Sequence, residues 1–91
     1  MSRVRIPPVL RSHTGGQREV DATGSTVRDA LDDLVQRYPA MKSQLFADGD
    51  LQRFVNVYVN NQDIQYLNRL DTPVGDSDTI IILPAMAGGG R

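Results

Sequence analysis

The most regular hydrophobic pattern in the chain is a helical stripe between Thr26 and Tyr38. Apolar side chains recur there every three or four residues, which places them on one helix face: Val27, Ala30, Leu31, Leu34, Val35 and Tyr38. Thr26 is the expected N-cap, and Asp29 occupies the acidic position of a capping box. Pro39 ends this helix because the residue before a proline disfavours the helical conformation. A short second helical turn is expected from Pro39 to Phe46.

Other stretches alternate between polar and apolar residues, which is typical of half-buried strands. This pattern predicts strands at residues 4–10, 17–21, 54–59, 62–64 and 79–83. Pro7 and Pro8 cannot donate ladder hydrogen bonds, so the first strand ends or lies at a sheet edge there. The last strand is different, because Ile80 to Leu83 are all apolar. A continuous apolar run indicates a strand in the middle of the sheet.

The order of these elements predicts an α+β fold. A hairpin leads into the main helix, and further strands follow, with the most apolar one last. We interpret this as a β-grasp (ubiquitin-like) arrangement, in which one main helix packs on a mixed sheet whose first and last strands are adjacent and parallel. The predicted organisation is a β-grasp domain over residues 1–84 and a flexible C-terminal tail over residues 85–91. Residues 47–50 are expected to form a loop, and its two aspartates lack the further oxygen ligands of a calcium site.

Composition excludes several classes of function. The chain has no cysteine and a single histidine, so it offers no disulfide, no thiolate metal site and no evident catalytic constellation. The net charge of -1 implies no strong electrostatic partner and no nucleic-acid interface. No apolar leader or membrane-spanning stretch is present, so the cytoplasm is the expected location. We therefore expect a protein that is not an enzyme and binds no metal.

The end of the chain, from Pro84 to Arg91, carries small side chains and three consecutive glycines. One interpretation is a frayed terminus or a linker remnant. The other is a segment that threads into a narrow cleft, because glycine has no side chain to clash with it. Residues 84–90 span about 23 Å when fully extended. That length is enough to deliver a terminal carboxylate into a partner's active site while the folded body stays outside.

Three stretches resemble the ubiquitin-like sulfur carrier family of the MoaD/ThiS type. They are residues 10–17 (LRSHTGGQ), residues 53–60 (RFVNVYVN), and the Gly75-Asp76 turn followed by the final strand and the Gly-Gly ending. The His-Thr-Gly-Gly loop and the Leu-Pro-Ala-x-Ala-Gly-Gly ending are closest to the branch of the cysteine-biosynthesis carrier CysO. The resemblance covers nearly the whole chain.

This resemblance implies a sulfur carrier. An E1-like adenylyltransferase/sulfurtransferase adenylates the terminal glycine carboxylate, and a sulfur donor displaces AMP to leave a thiocarboxylate. In the cysteine branch, a PLP-dependent cysteine synthase receives the sulfur, and a JAMM-type metalloprotease releases the product. ATP, pyridoxal phosphate and zinc belong to these partners, so no cofactor bound by this chain is expected. No nucleic acid or membrane partner is implied.

The resemblance also assigns site residues. The family's terminal glycine aligns with Gly89, so Gly88 to Gly90 are the expected adenylation and thiocarboxylate segment. Gly90 and Arg91 extend past the family ending, and we expect a protease to remove both, or Arg91 alone, first, unless they are a cloning remnant. The docking surface is predicted from the strand pattern instead. By alternation Ile81 and Leu83 face away from Ile80 and Ile82, and an apolar patch there is expected to dock a partner unless the rest of the fold covers it. The predicted docking residues are Phe54, Tyr58, Ile81, Leu83 and Met86.

Other functions share the same tail. A ubiquitin-like protein modifier would join its terminal glycine to lysines of other proteins, and the single lysine, Lys42, makes self-linked chains a poor fit. A small subunit of molybdopterin synthase would form a stable complex with a large subunit. A plain β-grasp binding domain would function without its last residues.

Overall fold

The computed structural model describes residues 1–84, and these fold into strands, two α-helices and short 3-10 helices. The strands are β1 (Ser2–Arg5), β2 (Glu19–Ala22), β3 (Phe46–Ala47), β4 (Asp50–Leu51), β5 (Val55–Val59), β6 (Gln62–Asp63) and β7 (Thr79–Pro84). The α-helices are α1 (Val27–Arg37) and α2 (Lys42–Leu45). The 3-10 helices are Pro8–Thr14, Pro39–Met41, Ile64–Tyr66 and Arg69–Asp71.

The main sheet has the strand order β2-β1-β7-β5-β6. β1 and β7 are parallel neighbours, with Val4 opposite Ile80, and the other pairs are antiparallel. β3 and β4 form a separate two-stranded sheet. This is the predicted β-grasp fold, with the last strand in the centre of a mixed sheet.

The core lies between α1 and one face of this sheet. From α1 it receives the buried part of the predicted apolar stripe: Val27, Ala30, Leu31 and Leu34. From the sheet it receives alternate side chains of the central strands: Val4, Val55, Val57, Val59, Ile80 and Ile82. Met41 and Leu45 close one end and are fully buried, as predicted for the short second helical turn. Burial of these side chains stabilises the fold by about 1.5–3 kcal/mol for each large one.

The start of α1 is fixed by a cap and by the chain that precedes β7. The Thr26 hydroxyl accepts a hydrogen bond from the Asp29 backbone N–H at 3.2 Å, which confirms Thr26 as the N-cap. The Val27 N–H donates to the Thr72 carbonyl at 2.9 Å, and the Val74 N–H donates to the Ser25 carbonyl at 2.9 Å. The helix is therefore held directly to the segment that leads into the central strand.

The first strand is shorter than predicted. β1 ends at Arg5, and the segment from Pro8 to Thr14, expected as strand and turn, is a 3-10 helix. Pro7 and Pro8 explain the difference, since they remove ladder donors and their fixed φ suits the first turn of a helix. Gly15 ends this helix in the left-handed conformation, with φ 64°.

Residues 47–50 were expected to be a loop but form the turn of a small hairpin. Asp48 and Gly49 both have positive φ, 55° and 82°, and Ala47 pairs with Asp50 across them. An Asp-Gly pair with both residues in this region is the usual two-residue hairpin turn. The sequence carried this signal, but the flanking strands are only two residues long and show no alternation.

Candidate functional site

β7 presents two different faces, and this arrangement defines the site. Ile80 and Ile82 are fully buried against the helix side, while Leu83 is 45% exposed and Ile81 is half-buried on the opposite side. The predicted alternation along this strand is therefore confirmed. Because β7 is the central strand, its last residues lie between neighbouring strands on both sides, at one end of the sheet. The glycine-containing segment follows them directly in the sequence.

An exposed apolar surface surrounds the end of β7. Tyr58 lies opposite Ile81 and Asn56 lies opposite Leu83 on the neighbouring strand β5. Phe54, just before β5, is 44% exposed. We call Phe54, Tyr58, Ile81 and Leu83 the apolar patch. The remainder of residues 1–84 leaves this patch partly open, so its members are available to a partner.

Charged residues border the apolar patch on both sides. Arg5 of β1 lies opposite Ile81, and its guanidinium Nε is 3.4 Å from Glu19 on β2. On the other side, Asp63 of β6 lies opposite Tyr58. An apolar centre with a polar rim is the common anatomy of a protein–protein interface.

The beginning of β7 is fixed by one carboxylate and one amide. The Asp78 carboxylate accepts hydrogen bonds from the Gly75 backbone N–H at 2.8 Å and from the Asn60 side-chain amide at 3.1 Å. The Asn60 carbonyl oxygen in turn accepts from the Thr79 N–H at 3.0 Å. The Gly75 N–H, and then the Asn60 amide, lower the pKa of Asp78, because both stabilise the charged carboxylate. The Gly75-Asp76 turn thus sets the position at which the central strand starts.

Several predicted site residues lie outside the described part of the chain. These are Met86, Gly88, Gly89, Gly90 and Arg91. Of the predicted docking residues within residues 1–84, Tyr58, Ile81 and Leu83 lie on neighbouring strands of the sheet, and Phe54 lies in the turn just before β5. Their role in docking stays a prediction.

Within residues 1–84, no cluster of three His, Cys, Asp or Glu side chains could hold a metal ion. In the same residues, no helix combines the length and apolar character needed to cross a membrane. A cavity of about 310 Å³ lies on the β5–β6 side, between β4, β5 and the 3-10 helices, and is lined by both acidic and basic residues such as Asp50, Asp63, Arg53 and Arg69. It contains none of the predicted site residues.

Known proteins are similar to this chain in sequence and in fold. The "Sulfur carrier protein CysO" of Mycobacterium tuberculosis is 44% identical over 89 residues, which cover 94% of this chain and 96% of that protein. A chain in the crystal structure of the Amycolatopsis orientalis BexX/CysO complex is 45% identical, with a TM-score of 0.91, and the match covers 98% of this chain and 100% of that one. The solution structure of small archaeal modifier protein 1 from Methanosarcina acetivorans is 35% identical, with a TM-score of 0.87, and the match covers 97% and 95% of the two chains.

The model of the ThiS family matches residues 4–89, so the match includes the glycine pair at 88 and 89 as well as the folded body. The similarity in sequence and the similarity in structure therefore lead to the same family. The chain belongs to the ThiS family.

Proposed function

We propose that this protein is a sulfur carrier of the CysO type, whose terminal glycine is converted to a thiocarboxylate. The observation that carries the proposal is the position of β7. This central strand ends at Pro84, beside the exposed apolar patch, and the Ala-Met-Ala-Gly-Gly sequence follows directly. The likeness to the mycobacterial carrier, which spans nearly both chains, supports the same function.

The proposed chemistry uses one group of this chain, the carboxylate of the terminal glycine. A carboxylate oxygen attacks the α-phosphorus of ATP, the bond to pyrophosphate breaks, and an acyl-adenylate forms. A sulfide-equivalent nucleophile then attacks the acyl carbon, and the bond to AMP breaks. The resulting thiocarboxylate is a better nucleophile than a carboxylate. Catalytic groups for both steps come from partners, so the chain acts as a carrier and not as an enzyme.

We assign the body of the carrier to residues 1–84 and the tail to residues 85–91. Glycine at positions 88 and 89 suits a narrow active site, because the backbone can approach the enzyme closely without a Cβ. An arginine at the end of the tail does not suit it. We therefore propose that Gly90 and Arg91 are removed before activation and that Gly89 carries the thiocarboxylate.

The proposed partners follow from this chemistry. An E1-like adenylyltransferase contacts the apolar patch and takes up the tail, with Met86 as a further contact. A PLP-dependent cysteine synthase consumes the sulfur, and a JAMM-type metalloprotease trims the tail and releases the product. ATP, pyridoxal phosphate and zinc are bound by these partners. Because activation consumes ATP, we propose the cytoplasm as the compartment.

ATP–pyrophosphate exchange by an E1-like adenylyltransferase from the same genome tests activation and trimming together. A chain that ends at Gly89 should support exchange, and the full 91-residue chain should not, because its terminal carboxylate belongs to Arg91. Equal exchange with both chains would contradict trimming. Exchange with neither chain would contradict the carrier function.

The likeness to an archaeal modifier protein favours a second candidate, a ubiquitin-like protein modifier. That function would use the same acyl-adenylate but transfer the glycine to lysine amines of other proteins. Covalent conjugates that retain the chain's terminal glycine, detected in cells by tandem mass spectrometry, would support it. A molybdopterin synthase subunit would instead copurify with a large subunit.

A further inference from the structure

A second surface lies beside the end of β7, on the side opposite β5. It is an open groove of about 750 Å³ between β7, the end of β1 and the residues that connect β1 to β2. Three arginines line it: Arg5, Arg11 and Arg18. Leu83 of the apolar patch also lines it, so groove and patch are continuous. We call this surface the arginine groove.

The backbone of Ile6 forms hydrogen bonds with the Arg11 side chain and with the Arg18 backbone. The Ile6 N–H donates to the Arg18 carbonyl at 2.8 Å, and the Ile6 carbonyl accepts from the Arg11 Nε at 3.1 Å. Pro7 and Pro8 follow and cannot continue the ladder along β7. The chain therefore separates from β7 after the end of β1, and the groove lies between the two.

Positive charge exceeds negative charge in the arginine groove. Glu19 is its one acidic lining residue, and that carboxylate already lies within 3.4 Å of Arg5 and 3.9 Å of Arg3. Arg18 is exposed and belongs to none of the ion pairs found within residues 1–84. The excess positive charge therefore lies at the end of β7 where the chain continues to residue 85.

We propose that the arginine groove binds an acidic segment of the protein that takes up the tail. This inference rests on the proposed function, and it names the chemistry of the partner surface: carboxylates next to an apolar contact for Leu83. The groove is open, and Ile81 and Leu83 add apolar contacts to the arginines, which suits a protein surface better than a small anion. Arginine pairs well with carboxylates because its planar fork donates two parallel hydrogen bonds.

The excess positive charge of the groove gives this contact a second role. Complementary charges speed the encounter of two proteins and orient them before contact. An acidic partner would be attracted to the end of β7 where the tail begins. The arginine groove therefore directs the partner to the correct end of the strand.

Association kinetics of the full 91-residue chain with an immobilised E1-like adenylyltransferase from the same genome test the groove. Arg18→Glu is compared with Arg28→Glu, an equal charge change on α1, outside the groove. Arg18→Glu should lower the association rate constant by about tenfold at low salt, and the difference should shrink towards 0.5 M salt, on the order of threefold or less. Arg28→Glu should stay within about twofold of the unchanged chain. Matching circular dichroism spectra and melting temperatures verify that both variants fold.

The possible results separate the groove from the carrier function. Equal effects of the two substitutions, with binding by the unchanged chain, would contradict the groove alone. Faster association of Arg18→Glu would also contradict it, because that result indicates that the groove holds the chain's own terminal carboxylate. Absence of binding both by the unchanged chain and by a chain that ends at Gly89 would contradict the groove and the proposed function.

Discussion

At the scale of single residues, Gly24 is the position where the fold leaves least room for a side chain. Its φ is 149°, and a Cβ there would lie 2.4 Å from the Asp29 Cβ and 2.9 Å from the Ala30 nitrogen at the start of α1. Gly24→Ala should therefore destabilise the protein by about 3 kcal/mol in urea unfolding. Gly15→Ala is the matched control, because Gly15 also has positive φ but open space around it. Gly15→Ala should lower the free energy of unfolding by about 1 kcal/mol. Equal decreases for the two substitutions would contradict the steric explanation.

Asp78 gives a prediction about pH. Hydrogen bonds lower its folded pKa below the unfolded value. Its contribution to stability is therefore complete above the unfolded pKa of about 3.9 and is lost as the pH falls through the lower, folded pKa. Asp78→Asn leaves a single acceptor oxygen for two donors, so it should lower the melting temperature at neutral pH.

That difference in melting temperature should disappear in strongly acidic solution, where the carboxyl group of the unchanged protein is protonated. Asp32→Asn, which removes an exposed carboxylate from α1, is the control for the change in net charge. If Asp78→Asn lowers the melting temperature by the same amount at every pH, the charge of Asp78 is not what holds the turn.

At the scale of elements, the two faces of β7 differ in burial, and substitutions on them should have separate effects. Ile82→Ala removes a fully buried side chain and should cost about 3 kcal/mol of unfolding free energy. Leu83→Ser changes a half-exposed side chain and should cost less than about 1 kcal/mol. If the apolar patch binds the partner, Leu83→Ser should also weaken that binding about tenfold, measured by isothermal titration calorimetry. Unchanged affinity would remove Leu83 from the interface.

Elements with a long periodic pattern could be predicted closely from the sequence, and some of the short ones could not. α1, β5 and β7 were found at or within one residue of the predicted bounds, because each is amphipathic or apolar over at least five residues. The β3–β4 hairpin and the 3-10 helix at Pro8–Thr14 depend on turn residues and on tertiary contacts, which periodicity does not report. The resemblance to a known family supplied the role of the tail, which no local pattern contains.

At the scale of the whole molecule, the balanced composition hides an uneven distribution of charge. A net charge of -1 predicts no strong electrostatic partner, but the fold gathers Arg5, Arg11 and Arg18 at one end of β7. The three arginines come from β1, the 3-10 helix and the segment before β2, so their spacing in sequence gave no sign of a shared surface. The faces on which Tyr58, Ile81 and Leu83 lie could be predicted, because alternation along β5 and β7 is a local property.

The central claim is that one glycyl carboxylate of this chain carries sulfur. Intact-mass and fragment-ion spectrometry test it most directly, after incubation of the chain with a tail-trimming protease, an E1-like partner, ATP and a sulfide source. We expect a species that has lost Gly90 and Arg91 and has exchanged one oxygen for sulfur at the carboxyl group of Gly89. A double variant, Gly88→Val with Gly89→Val, should remain unchanged. Sulfur on a chain that still ends at Arg91, or equal sulfur transfer to the double variant, would contradict the account.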